Sequence, residues 1–107
     1  MTHSLSNFIN ILLECCKATY HIDGFKESGN YIIWNEVDTG HTLSADDVRQ
    51  EESTLIAVDF FSKEEFPDEV DRIREKFKEN EIRYRGPSIQ FDKDTGVRHW
   101  AYTCEVI

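Results

Sequence analysis

Near the start of the chain, Leu5, Phe8, Ile9, Leu12, Leu13 and Cys16 fall at three- and four-residue steps. That spacing predicts one apolar helix face. Ser4 or Ser6 can cap the start, and the helix is expected to end near Ala18. Tyr20 to Asp23 suits a short strand before Gly24. Residues 31–37 are rich in β-branched and aromatic side chains and lie between Gly29-Asn30 and Asp38-Thr39-Gly40. They read as a strand. A second apolar run, residues 55–61, predicts another.

Ser62-Lys63-Glu64-Glu65 then fits a capping box, with Ser at the cap and Glu three residues on. Pro67 is tolerated in a first helical turn. Val70, Ile73 and Phe77 mark a narrow apolar stripe. Glu64, Glu65, Asp68 and Glu69 precede Arg72, Arg74, Lys76 and Lys78, an order that suits the helix dipole. Asp68–Arg72, Asp71–Arg74 and Glu75–Lys78 have the spacing of surface pairs. Beyond the helix, residues 82–85 look extended and Gly86-Pro87 breaks them. Residues 88–91 and 97–107 flank Asp92-Lys93-Asp94-Thr95-Gly96, a hairpin signal with Gly where positive φ is needed. In the last strand Trp100, Tyr102, Cys104 and Val106 share one face, and His99, Thr103 and Glu105 the other.

The elements predict an α+β fold in one domain, residues 1–107. A mainly antiparallel or mixed β-sheet is packed by two helices, in the order α-β-β-α-β-β. Each helix has one apolar stripe and needs the sheet to cover it. The expected core is Phe8, Leu12, Val58, Phe60, Val70, Ile73, Phe77 and Trp100.

Composition adds limits. Hydrophobic residues make up 39% of the 107, and aromatic residues 12%, enough for a folded core. The formal charge of −9 argues against wrapping duplex DNA, sequence-specific nucleic-acid binding and an anionic membrane surface. It suits a basic protein partner, or a surface that repels phosphate. The first residues lack the basic start of a secretion signal, and the apolar stretch at residues 5–16 is too short to span a bilayer. Cys15, Cys16 and Cys104 are odd in number with two adjacent. That makes a poor disulfide framework, and reduced thiols are expected.

Candidate chemistry is thin. Asp92-x-Asp94-x-Gly96 resembles the opening of a calcium loop, but its Gly comes fifth and its twelfth residue is Thr103 rather than Glu. A plain hairpin turn is the stronger reading. Cys15 and Cys16 with His21 have no metal-ligand spacing, and adjacent helical residues diverge by about 100°. His99 and Cys104 fall on opposite strand faces, which spoils a catalytic pair. Asp46-Asp47, Glu51-Glu52 and Glu64-Glu65 are read as solvated charge, because sequence neighbours do not make a cleft. There is no phosphate-cradling glycine loop and no nucleophile elbow. Trp34 and Trp100 read as core or subunit-interface residues. No catalytic residue, cofactor or metal is expected, and the chain is expected not to be an enzyme. The long polar segment at residues 38–53 is the place for function. Its Asp46, Asp47, Arg49, Glu51 and Glu52 are the candidate protein-interface residues.

The order of these elements resembles that of the small tail completion, or tail terminator, proteins of long-tailed phages and prophages. Residues 55–61 leading to residues 64–77, then the Trp100–Tyr102 strand, carry most of the likeness. It spans nearly the whole chain as a pattern and rests on no diagnostic motif. The resemblance implies a non-enzymatic protein that caps the finished tail tube, usually as a hexameric ring. Its implied partners are further copies of itself, the tail tube protein and the head connector protein. Its implied location is the host cytoplasm during assembly and then the virion tail. A negative lumen would let DNA pass without retention. Other classes remain: an acidic inhibitor that mimics nucleic acid, a different structural or adaptor module, or a small enzyme for which the residues offer no site.

Overall fold

The structure, a computed structural model, describes residues 5–21, 29–37 and 54–106. Its elements are α1 (Leu5–Cys15), β1 (Thr19–His21), β2 (Tyr31–Glu36), β3 (Thr54–Ser62), α2 (Asp68–Glu79), β4 (Arg83–Asp92) and β5 (Val97–Val106). The strands form one mixed sheet in the order β1-β2-β3-β5-β4. β1 runs parallel to β2, and every other neighbouring pair is antiparallel. The fold is therefore α+β, as the pattern predicts, with one more strand than the order α-β-β-α-β-β. The addition is β1, which starts at Thr19, just before the stretch expected to be extended.

Both helices lie on one face of the sheet. Alternate residues of the central strands point at them: Ile32 and Trp34 from β2, Ile56, Val58 and Phe60 from β3, Trp100, Tyr102, Cys104 and Val106 from β5. α1 contributes Phe8, Ile11, Leu12 and Cys15, and α2 contributes Ile73 and Phe77. The Phe8 and Phe77 rings meet between the helices at 6.1 Å, and Phe77 turns toward Tyr84 and Tyr102 in edge contacts. Of the eight expected core residues, seven are buried, while Val70 packs at the margin.

Local chemistry sets the element ends. α1 closes at Cys15, earlier than Ala18, because Thr19 Oγ1 donates to Cys16 O at 2.6 Å and the Ile32 amide takes Ala18 O at 2.8 Å into the sheet. The expected capping box does not start α2. Ser62 is instead the buried last residue of β3, and its hydroxyl accepts the Glu64 amide at 2.9 Å. α2 begins after Pro67, whose ring fixes φ near the value found, −73°. Its first turn holds Asp68, Glu69 and Asp71, and its last turn Lys76 and Lys78, which complements the dipole. Of the expected surface pairs, Asp71–Arg74 forms at 3.3 Å. Arg72 reaches across to Cys15 O at 2.8 Å, and Lys76 bonds Glu14 at 3.1 Å. Both contacts tie α2 to α1.

Gly86-Pro87 does not end the strand. β4 runs through it with a register shift between Arg85 and Ser88. Proline is tolerated because β4 is an edge strand, where an amide can face outward without a ladder partner. Gly86 sits at φ +112°, and a Cβ there would lie 2.6 Å from Ala101 O. Only glycine fits that crossing.

Candidate interaction surfaces

The five sequence-derived interface residues, Asp46, Asp47, Arg49, Glu51 and Glu52, lie outside the described residues, as does the rest of the 38–53 segment. The hairpin at residues 92–96 is a turn, closed by Gly96 N–H donating to Asp92 O at 2.8 Å. Among the described residues no group of three or more His, Cys, Asp or Glu could hold a metal ion. No described helix is long and apolar enough to cross a membrane.

The three cysteines are buried free thiols. Burial pushes the Cys15 thiol up to about 12, partly offset by the nearby Lys76 and Arg72 charges. Burial also raises Cys16 and Cys104. A nucleophilic thiol needs the opposite shift. Cys104 packs in the core beneath the helices, whereas His99 is on the sheet's other face.

That other face is where register gathers residues the sequence kept apart. Tyr31 on β2 pairs with Phe61 on β3, Phe61 with His99 on β5, and His99 with Gln90 on β4. The rings stand side by side in a row, at 4.9 Å for Tyr31–Phe61 and 4.5 Å for Phe61–His99, nearly parallel. His99 Nε2 lies 2.8 Å from Asp59 Oδ1, which fixes the imidazole on its strand. This row floors a cavity of about 620 Å³, with Lys63 and Asp92 at its rim. A second cleft of about 720 Å³ lies where α1 meets the start of α2. There the Asn30 amide donates to Glu69 at 3.1 Å and Glu64 at 3.4 Å.

The sheet ends in two different edges. β4 is exposed along most of its length, with Ile89 at 54% and Phe91 at 52% exposure. Large apolar side chains on an open strand are an invitation to pairing. The Phe91 ring lies 4.9 Å from the Arg98 guanidinium, whose buried Nε has no hydrogen-bond partner among the described residues. β1, the other terminal strand, carries His21, stacked on Trp34 at 3.9 Å and bonded to Glu36 at 2.9 Å. That bond from His21 holds the Glu36 carboxyl below its ordinary range.

Two hydrogen bonds reveal which backbone groups point outward. Asp92 O accepts inside the hairpin, so the backbones of Asp92 and Gln90 face β5 and those of Ile89 and Phe91 face away. Ala18 O accepts from Ile32, so by the same alternation Thr19 and His21 face away from β2.

The row and the edges were not visible in the sequence, because each depends on register between strands. The available signal was that Tyr31, Phe61 and His99 fall out of phase with the core positions of their own strands. No family model, no curated protein and no solved structure matches this chain.

Proposed function

We propose that this chain is a non-enzymatic tail terminator subunit. It caps a finished phage or prophage tail tube and presents the surface that the head connector meets. The subunits form a ring, and the family resemblance makes six the expected number. The observation that carries the reading is the β4 edge: a ten-residue strand with two large apolar residues exposed, its outer backbone side without a strand partner among the described residues. A monomer gains nothing from such an edge, whereas a subunit that must join copies of itself does. The charge of −9 supports a lumen through which DNA slides without being held. Asp46, Asp47, Arg49, Glu51 and Glu52 remain the contact residues proposed on the 38–53 segment.

The test combines light scattering over a wide concentration range, with and without purified tail tubes, and a head–tail joining assay. The wild type assembles, at the latest on tube ends. Asp46→Lys with Asp47→Lys keeps thermal stability, since surface changes usually stay within about 0.5 kcal/mol, yet impairs joining through misplaced charge. A wild type that ignores tail tubes sinks the proposal. Tight binding of a basic partner by a monomer or dimer would favour the nucleic-acid mimic instead.

A further inference from the structure

We infer that β4 of one copy pairs antiparallel with β1 of a second copy, so that the sheets of neighbouring subunits join into one β-belt. This rests on the ring reading above and names the contact that would build it.

Strand directions come first. β1 and β2 run together, and β3, β5 and β4 then alternate, so β4 is antiparallel to β1. Two copies placed side by side, with their helices on the same side, therefore meet as an antiparallel pair. Backbone polarity comes second. The outward groups are those of Ile89 and Phe91 on one edge and Thr19 and His21 on the other. Residues that exchange hydrogen bonds in an antiparallel ladder are spaced by two, as both sets are. Setting Phe91 opposite Thr19 sets Ile89 opposite His21. Phe91 N–H then donates to Thr19 O, and Ile89 and His21 exchange a reciprocal pair. The Thr19 amide already donates to Lys17 O at 3.0 Å and is not needed.

Side-chain faces come third, and they agree. Ile89 pairs with Trp100 and Phe91 with Arg98, so both project toward the helix side. Thr19 pairs with Ile32 and His21 with Trp34, on the same side. This register, one that the backbone groups permit, thus brings Ile89 against the His21–Trp34 stack without moving any residue to the wrong face. A slip of one residue breaks both matches.

Charge supplies the fourth observation. The turn end of β4 carries exposed Asp92 and Asp94 around Lys93, and it meets the start of β1, where Lys17 is exposed. Reversing the approach would set Arg83 and Arg85 near Lys17. Because the contact joins two different patches, its repetition gives a closed ring or an open filament rather than a two-fold dimer.

The test is disulfide trapping. Cα atoms of a hydrogen-bonded antiparallel pair lie about 5.5 Å apart, within disulfide reach. Chains carrying both His21→Cys and Ile89→Cys should form a ladder of multimers under mild oxidation, reversed by reductant. Each single variant should stay uncrosslinked, because the native thiols are buried. Ile89→Lys, a charge on an exposed edge position, should leave the melting temperature in place and raise the concentration for assembly about tenfold. Cross-linking by Ile89→Cys alone would mean two β4 edges meet, and would overturn the inference. Rings that form but give no ladder would overturn it too, while leaving the ring reading standing. A ladder from a protein that never engages tail tubes would leave the edge pairing intact and sink the tail reading. A chain that neither assembles nor cross-links at any concentration sinks both.

Discussion

At the scale of single residues, Phe77 holds the most connections. It touches α1 through Phe8 and the sheet through Tyr84 and Tyr102, and it is fully buried. Phe77→Ala should lower the unfolding free energy by about 3–5 kcal/mol, read from denaturant titration. A loss under about 1 kcal/mol would mean that the helices repack without it. The cysteines make a separate prediction. Cys15 has an ordinary thiol value of 9.0 and is pushed up to about 12 in the fold. Below pH 9 the thiol is neutral whether folded or not, and folding is unaffected. Above it the unfolded thiol ionises first, so stability declines from about pH 9 toward pH 12. Cys15→Ala should lessen that decline in alkaline melts without removing it, because buried Cys16 and Cys104 are raised too. Under denaturing, non-reducing conditions three thiols should titrate, and fewer would reveal a disulfide. These positions were legible in the sequence, because Ile73 and Phe77, or Trp100, Tyr102 and Cys104, repeat at the period of their own element. The Tyr31–Phe61–His99 row was not, since its members belong to three strands and only pairing aligns them.

Elements were read correctly where pattern and tertiary setting agree. β3 and β5 alternate as half-covered strands should, and α2 orders its charges along its axis. The misreadings share one cause, a local signal overruled by position. Ser62 looked like a helix cap, but β3 extends to it and its hydroxyl serves the Glu64 amide. Gly86-Pro87 looked like a break, but an edge strand can carry a bulge and an imino acid where a central strand cannot. β1 is only three residues long and leaves little periodicity to detect. The bulge makes its own prediction. Gly86→Ala must place a Cβ against Ala101 O at positive φ, and should cost about 1–3 kcal/mol. Pairing of β4 with β5 should loosen first, seen as faster amide exchange at Gln90 and His99. Unchanged exchange there would mean the bulge relaxes freely.

At the scale of the whole molecule, one face of the sheet holds the core and the sheet's ends hold the opportunities. The 38–53 segment, between β2 and β3 in sequence, is long and polar, and its acidic residues are the proposed contact charges. If it bears the contact charges, raising salt should weaken ring formation more than it weakens folding, because exposed charges are screened while buried apolar contacts are not. Light scattering and thermal melts over the same salt series would compare the two. Equal sensitivity would point to assembly coupled to folding itself.

The strand order also bears on timing. β5 follows every other described element along the chain, yet it lies between β3 and β4. A nascent chain that has emerged only as far as β4 has no template for that strand, and the long flank of β3 is uncovered. Threading β5 into the gap completes the core and at the same moment presents the β4 edge in its final orientation. On the proposed edge pairing, copies can then join only once β5 is in place. A chain that lacks β5 has no correctly placed edge to offer, so on that proposal it cannot interfere with the pairing of copies in which β5 is seated.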